Sequence, residues 1–517
     1  MTSSDIDIAK VLTLSAFPAV KPDSFLQHFP IALEMPVAYV MGTVCLLLTT
    51  RSWRASLLKE NSTFMLFQGT FYDEAISPFR WQASRLASRW TGRMVMRYYL
   101  VLLFLVCLPA MMIRTGENVR GVIWSDAEGY YQYLPGIFII GDMHQIPPGS
   151  VYPYYNTAGE YVDKYTCGIA LFEWPFFLGA YALSRPLGYD PAEYFNPVYC
   201  RAMALCGFVF AFLGLWLLQQ TLLRMYSRQA TAWAILAIFA GTNLFHYATK
   251  EMSVAHVYNF FLFAAFLYQL PRQLKDPNFK NSLLTGAILG WIVLIRPTNI
   301  IIALSFLLYD VYRWGDLHQR IHFWLSRPKA ILTMMGAAFL FFIPQMVYWH
   351  EMTGHWLYYS YTEEGFTYWY EPKITSVLFD PQNGLFLYSP VAWLMLMAVV
   401  FGLWRRQYQA LNAVVITAIA TYLFASWWAW WFGGAFGHRC YVEYYALLAI
   451  PLAGWLEHIR THWSLPAKTI IVSLTIIMMF VGVRLSYLYT SLPGPWDGPD
   501  WRWNWEKYEW VLRQMFE

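Results

Sequence analysis

Apolar stretches recur along the whole chain, and most approach the ~20 residues that an α-helix needs to cross a bilayer. Only 13% of the 517 residues are charged, compared with about 25% in an average soluble domain. The sequence therefore predicts an all-α polytopic membrane protein with about 11 to 13 spans. The candidate spans are 31–50, 98–115, 199–223, 231–248, 253–270, 283–295, 298–312, 330–349, 385–403, 410–427, 440–457 and 468–488.

Two neighbouring stretches, 283–295 and 298–312, are short for complete crossings and meet at "LIRPTN". A proline inside a helix removes a backbone hydrogen bond and clashes with the preceding turn. We therefore expect Arg296 and Pro297 to lie at a turn between two broken or tilted helices.

Basic and acidic loops alternate along the chain and indicate how the spans are oriented. Segment 51–97 has eight Lys and Arg residues against three acidic residues, whereas 116–167 has two against six and 350–384 has one against five. Loops rich in Lys and Arg stay in the cytoplasm. The expected cytoplasmic loops are 51–97, 224–230, 271–282, 313–329 and 404–409, and the expected outer segments are 116–198, 350–384, 427–439 and 489–517.

This orientation holds only if segment 168–184 does not cross the membrane. We expect it to be a helix lying in the outer interface, with Glu173 and Trp174 on its wetter side. If segment 31–50 crosses, both termini are external. If it does not cross, only the N-terminus changes side.

Several enzyme classes are excluded because their motifs are missing. The chain has no Walker loop, no GxGxxG and no GxSxG. In "HEMTGH", His350 and His355 are five residues apart, about 140° around a helix, and cannot share a zinc ion as an i, i+4 pair does. We expect no cofactor and no nucleic-acid partner, and a divalent metal is not indicated.

The remaining polar groups lie near the predicted outer side. A transporter would place ionisable residues in mid-span, and the spans are nearly free of them. The aromatic runs "WLYYSYTEEGFTYWY" and "DGPDWRWNWEKYEW" suit sugar rings or polyprenyl chains, or else anchor the loops in the interface. Any chemistry should take place at the outer membrane interface. The polar groups are Asp126, Glu128, Lys164, Glu251, His256, Arg296, Asp380, His438 and Arg439.

Six segments, in order, resemble motifs of the GT-C superfamily of polyprenyl-linked glycosyltransferases. "SDAEGYYQYLP" is similar to its Asp-led first-loop motif, and "DKYTCGIALFEWPFF" to its Lys-Tyr segment, although "KYTCG" lacks the paired prolines. "KEMSVAHVYNFFLF" and "GWIVLIRPTNIII" resemble its Ser-x-x-His stretch and helix break, and "DPQNGLFLYSP" and "WWFGGAFGHRCYV" resemble two motifs of bacterial members. The likeness covers about 98–457, closest to the protein O-mannosyltransferases and the lipid A aminoarabinose transferase.

The resemblance implies a GT-C-like helix bundle with interfacial helices and extracytoplasmic loops. It also implies transfer of a sugar from a polyprenyl-phosphate-linked donor to an acceptor hydroxyl, with inversion, on the extracytoplasmic face of the cell (inner) membrane. The acceptor would be a glycan, a lipid or a protein. The implied divisions are an N-terminal segment with one span and a basic loop (1–97), a catalytic core (98–457), and a final span with an aromatic tail (458–517).

Such a reaction needs a base for the acceptor proton and cations for the leaving phosphate. Asp126 is the expected base, and Glu128 should contact the sugar or acceptor; the alternatives are a helix N-cap and a solvated charge. Lys164, Arg439 and Arg296 are the expected phosphate ligands; the alternatives are ordinary ion pairs and, for Arg296, neutralised helix carbonyls. The expected substrate-binding residues are His256, Glu251, His438 and Tyr131. Glu251 could instead pair with Lys250.

Three other functions stay open. A transporter or flippase of lipid-linked sugars would need mid-span charges and an internal repeat. An oligosaccharide transferase with a lipid-diphosphate donor would have more need of a divalent ion. A nonenzymatic assembly protein would bind glycolipids through its aromatic surface, and that binding would survive the loss of Asp126.

Overall fold

The structure is a computed structural model that describes residues 98–116, 119–146, 155, 159–491 and 504–515. The predicted span 31–50, the basic loop 51–97 and residues 492–503 of the tail lie outside the described residues. The helices are α1 (Tyr98–Thr115), α2 (Asp126–Pro135), α3 (Ala170–Ser184), α4 (Pro197–Leu222), α5 (Arg228–Gly241), α6 (Leu244–Thr249), α7 (Ala255–Lys275), α8 (Phe279–Ile295), α9 (Ser305–Leu308), α10 (Trp314–Leu325), α11 (Pro328–Thr353), α12 (Ile374–Phe379), α13 (Leu385–Tyr388), α14 (Ala392–Trp404), α15 (Tyr408–Ser426), α16 (Tyr445–His462), α17 (Leu465–Ser491) and α18 (Trp505–Gln514).

The described part of the chain contains no β-strand beyond one isolated bridge, which confirms the prediction of an all-α protein. Within it, five helices are long and apolar enough to cross a membrane, namely α1, α4, α11, α15 and α17. Three shorter apolar segments are α8, Pro297–Leu308 and α14. The chain is therefore a polytopic membrane protein by the length and composition of its helices.

Two of the predicted spans are interrupted. The span 231–248 is divided at Thr242, whose hydroxyl accepts a hydrogen bond from the Leu244 N–H (3.2 Å) where α6 begins. The span 385–403 is divided near Pro390, between the end of α13 and the start of α14. Apolar residues continue through both breaks, so hydropathy does not reveal them.

The expected break at Arg296 is present. α8 ends at Ile295, Arg296 adopts an extended backbone (φ −146°), and a 3-10 helix runs from Pro297 to Leu304. Asn299 N–H donates to the Arg296 carbonyl (3.0 Å) and so tightens the turn. The guanidinium of Arg296 is thereby held at a helix end.

Two glycines let α8 pack directly on the backbone of α11. A Cβ added at Gly286 would lie 2.2 Å from the Met334 carbonyl oxygen, and one at Gly290 would lie 2.5 Å from the Ala338 Cα. Small residues four apart are a common basis for close helix packing in membranes. This contact fixes the position of the α8 terminus that carries Arg296.

Helix α3 differs in part from the expectation. It packs antiparallel on the first half of α4, with Phe177 on Tyr199 (4.8 Å) and Phe172 on Phe210 (4.5 Å) between ring centroids. Trp174 is exposed as expected, but the expectation that Glu173 lies on the wetter side is wrong. Glu173 is buried because it turns toward the core, where it accepts a hydrogen bond from the Tyr258 hydroxyl (2.9 Å).

Candidate active site

Polar side chains from distant parts of the sequence meet at one end of the bundle. Helices α2, α7 and α16 begin at this end, and α8 ends there. The carboxylate of Asp126 pairs with Arg439, and Glu443 pairs with His256. The cluster therefore unites the first loop with the loops before α7 and α16.

Asp126 is the first residue of α2, and the N-cap position belongs to Ser125. Its carboxylate oxygen Oδ1 accepts a hydrogen bond from the Tyr165 hydroxyl (2.5 Å), and Oδ2 forms an ion pair with Arg439 (2.7 Å). Gly129 permits this arrangement, because any Cβ there would collide with the Tyr165 ring. The alternative that Asp126 caps the helix is thus not what the structure shows.

The environment of Asp126 keeps it ionised. Burial alone would raise the pKa of Asp126, but the Arg439 guanidinium, followed by the Tyr165 hydroxyl and the charge of Lys164, outweighs burial and holds the pKa below its ordinary value. Asp126 is therefore a carboxylate at neutral pH. Its side chain is 16% exposed and that of Arg439 is 17% exposed, so a small molecule can approach both groups.

A second group of contacts centres on Glu443, which is fully buried. Its carboxylate lies 3.1 Å from His256 Nδ1, accepts a hydrogen bond from Asn299 Nδ2 (3.1 Å) and lies 3.6 Å from Arg296 Nη1. Arg296 also donates to the Cys440 sulfur (3.1 Å). One carboxylate thus joins the start of α7, the end of α8 and the start of α16.

Lys164 lies near the same cluster and forms an ion pair with Glu364 (2.5 Å). Its ammonium also lies 4.9 Å from the centre of the Tyr361 ring. The ion pairs considered for Lys164 and Arg439 are therefore both present. Each predicted phosphate ligand has a carboxylate of the chain as its neighbour.

Arg439 also contributes to the electrostatic field at the carboxylate of Glu251. This carboxylate lies 3.3 Å from His246 Nε2. The ammonium of Lys250 donates instead to the Arg114 carbonyl (2.6 Å). His246 is thus the nearest partner of Glu251.

Four other residues predicted for the site make contacts within the protein, away from the Asp126–Arg439 pair. Glu128 is buried and pairs with Arg120 (3.1 Å). Tyr131 is buried, its ring packs on Phe177 and its hydroxyl donates to the Tyr194 carbonyl (2.5 Å). Asp380 accepts the Gln382 N–H (2.8 Å) in a turn.

The fourth, His438, stacks on Phe424 and hydrogen-bonds through Nε2 to the Trp430 carbonyl (3.1 Å). Burial lowers the pKa of His438 to about 3, despite the Trp430 hydrogen bond, and the nearby guanidiniums act in the same direction. His438 is therefore neutral at physiological pH.

The loop between α11 and α12, which carries Glu364, presents aromatic side chains at its surface. Among them, Tyr370 is 94% exposed, and others at the surface are Trp356, Tyr359 and Trp369. His350 of "HEMTGH" stacks on Trp356, and His355 lies beyond the end of α11. In the described part of the chain, no three His, Cys, Asp or Glu side chains group as metal ligands.

Sequence reasoning missed Glu443 and did not single out Tyr165 or Glu364. Glu443 follows Arg439 by one helical turn and falls inside the predicted span 440–457. A charged residue within a span is rare and is by default a functional candidate. That signal was present in the sequence. Glu364, by contrast, is one of several acidic residues in its loop, and its contact with Lys164 cannot be inferred from spacing.

No protein-family model and no curated protein matches the chain. Two solved structures of the archaeal oligosaccharyltransferase AglB from Archaeoglobus fulgidus are similar to it, one in the apo form and one with an inhibitory peptide and a dolichol-phosphate. Each is 14% identical with a TM-score of 0.43, and the matches cover 80% and 81% of this chain. The chain spans 60% of the length of those structures.

Proposed function

We propose that the protein is a GT-C membrane glycosyltransferase that transfers a sugar from a polyprenyl phosphate to an acceptor hydroxyl. The observation that supports this most directly is the carboxylate of Asp126, which is ionised and accessible between Arg439 and Tyr165. A carboxylate so placed can accept the acceptor's proton as the new bond forms. Asp126 is the proposed base.

The reaction is a single displacement at the anomeric carbon. The acceptor oxygen forms a bond to this carbon and loses its proton to Asp126. The bond from the carbon to the phosphate oxygen breaks, and the electron pair leaves with the polyprenyl phosphate. Attack from the opposite face inverts the configuration. The charge that grows on the leaving phosphate needs cations, and Arg439, Arg296 and Lys164 are the proposed ligands.

Arg439 links phosphate binding to the strength of the base. A phosphate beside Arg439 would compete with Asp126 for the guanidinium. As Arg439 turns toward the phosphate, the positive field at Asp126 weakens and its pKa rises. Asp126 then becomes a stronger base when the donor is in place. Glu364 would give up Lys164 to the phosphate in the same way.

The charge pattern supports an extracytoplasmic active site. The loops that form it, 116–198 and 350–384, are the acidic ones, and the linkers at the opposite helix ends are basic. The aromatic surface of the loop between α11 and α12 is the proposed contact for the sugar or the polyprenyl chain. Glu128 we assign to holding α2 through Arg120 rather than to direct contact with the sugar.

The test is transfer by the purified protein from a panel of synthetic polyprenyl-phosphate monosaccharides to glycan, lipid and peptide acceptors. Asp126→Asn should lower the rate by about 10²–10⁴-fold. The matched control is Asp142→Asn, a partly exposed aspartate of the same loop whose carboxylate accepts hydrogen bonds from its own turn. It should keep the parental rate. Near-parental turnover by Asp126→Asn would end the case for this base. If sugar is transferred only from a lipid-diphosphate donor, the proposed polyprenyl-monophosphate donor is wrong.

A further inference from the structure

The buried carboxylate of Glu443 has three polar partners, and two of them are candidate substrate contacts. A buried carboxylate requires hydrogen bonds and a counter-charge. The Asn299 amide, the His256 ring and the Arg296 guanidinium lie 3.1, 3.1 and 3.6 Å away. Two of these three, Arg296 and His256, are proposed substrate contacts, whereas Glu443 has no exposed surface and cannot touch a substrate itself.

The contacts of His256 determine which ring nitrogen carries the proton. Nδ1 lies 3.1 Å from Glu443 Oε2 and 3.2 Å from Arg296 Nη1. Arginine can only donate and an ionised carboxylate can only accept. Nδ1 therefore cannot hydrogen-bond both neighbours. With a proton it donates to Glu443, whereas without one it would accept from Arg296 but set its lone pair against a buried carboxylate, which is costly. We therefore place the proton on Nδ1, which leaves Arg296 Nη1 paired with the Glu443 carboxylate at 3.6 Å. In that tautomer Nε2 has a lone pair available, and no described residue hydrogen-bonds to Nε2.

Arg296 is held from two sides. Glu443 supplies the negative charge, and the Cys440 sulfur accepts a hydrogen bond from Nη2 (3.1 Å). The side chain is still 18% exposed, so part of the guanidinium faces away from these partners. Glu443 and Cys440 follow Arg439 within one turn, so a single segment places both guanidiniums.

We propose that Glu443 is a positioning residue, which fixes His256 with Nε2 free to accept a hydroxyl of the transferred sugar and holds Arg296 against the donor phosphate. This inference rests on the proposed function. It assigns the sugar end of the donor to His256 and the phosphate end to Arg296. Loss of Glu443 should weaken both contacts, and loss of His256 only the first.

The experiment compares Glu443→Gln with the matched control Glu457→Gln. Glu457 lies on α16 at the other end of the bundle, where it also pairs with an arginine, Arg460 (2.5 Å). Two readouts are needed: the donor KM and kcat in transfer, and the affinity for a fluorescent polyprenyl monophosphate that lacks a sugar. The second readout does not depend on catalysis.

Glu443→Gln should raise the donor KM and weaken binding of the bare phosphate probe, each on the order of tenfold, while Glu457→Gln changes neither. Adding Arg296→Gln to Glu443→Gln should weaken probe binding no more than Arg296→Gln alone, because coupled residues are not additive. Unchanged probe affinity in Glu443→Gln, or additive losses, would overturn the proposal.

His256→Gln is the second variant, and it keeps the inference testable if Glu443→Gln does not fold. It should raise the donor KM but leave the affinity for the bare phosphate unchanged. Equal losses in both readouts would contradict the assignment of His256 to the sugar. If the parental protein binds the probe but transfers no sugar, the proposed function fails, whereas parental transfer with an unaffected Glu443→Gln variant refutes only the role of Glu443.

Discussion

Arg439→Gln is expected to change the donor affinity and the pH dependence together, because one guanidinium serves both the phosphate and Asp126. A hydrogen bond to a charged group contributes about 1.5–3 kcal/mol. The pair of Arg439 and Asp126 is mostly buried, with side chains 17% and 16% exposed, so solvent screens it little. The donor affinity should therefore fall about tenfold to a hundredfold.

The pH effect of Arg439→Gln follows from the carboxyl it leaves behind. Burial raises the pKa of Asp126, and Arg439 is the strongest of the groups that lower it. Without Arg439, Asp126 takes up a proton at a higher pH, so the acid limb of the rate profile moves to higher pH. Asp126 stabilises the fold above its unfolded pKa and loses that contribution as pH falls through the lowered folded pKa. The contribution should be smaller in the variant, because Arg439 no longer offsets the effect of burial.

The assay is kcat/KM for transfer from about pH 4 to 8, with thermal unfolding measured over the same range. Arg460→Gln is the control, since it removes an arginine from a carboxylate pair at the opposite helix end. It should leave the donor affinity and the acid limb unchanged. An acid limb that stays in place in Arg439→Gln, with donor affinity intact, would refute the reasoning.

Three further predictions concern the second cation, the packing and the orientation. Lys164→Ala should weaken binding of polyprenyl phosphate about tenfold or more in a fluorescence titration, and unchanged affinity would place the phosphate elsewhere. Gly290→Val should lower the free energy of unfolding by about 1–3 kcal/mol, because its Cβ would lie 2.5 Å from the α11 backbone. The control is Gly336→Val, which should unfold like the parent because a Cβ at Gly336 meets nothing within 4 Å. In intact cells, an impermeant thiol reagent should label a cysteine replacing Gly365 but not one replacing Asp276. The reverse pattern, with labelling at 276 and none at 365, would show that segment 168–184 crosses.

The helices could largely be predicted from the sequence, because long apolar segments leave few alternatives in a bilayer. The break at Arg296 was predictable too, since Pro297 cannot continue the helix. The breaks at Thr242 and Pro390 were not predicted, because the apolar residues on both sides of each were assigned to one span. Local hydrogen bonds and proline geometry decide these positions, and hydropathy averages over them.

The membership of the site was easier to predict than its contacts. Asp126 was chosen from its motif, and Arg439 because basic residues are scarce in the expected outer segments; the structure brings the two together. Tyr131 and Glu128 come from the same motif as Asp126, yet they face the packed interior and Arg120. Which face of a short helix turns inward depends on tertiary contacts, and no periodicity marks it in so short a segment.

The pairing of cations with carboxylates in this site has a consequence for turnover. In the proposed reaction the donor phosphate is a diester with one negative charge, and the product is a monoester with a charge of about −1.5 to −2 at neutral pH. Arg439 and Lys164 alone would hold the product more tightly than the donor and slow its departure. Glu364, 2.5 Å from Lys164, can reclaim this cation at once. Asp126, 2.7 Å from Arg439, can do so after it has released the proton taken from the acceptor. The same carboxylates that compete with the donor on entry thus help to expel the spent lipid carrier.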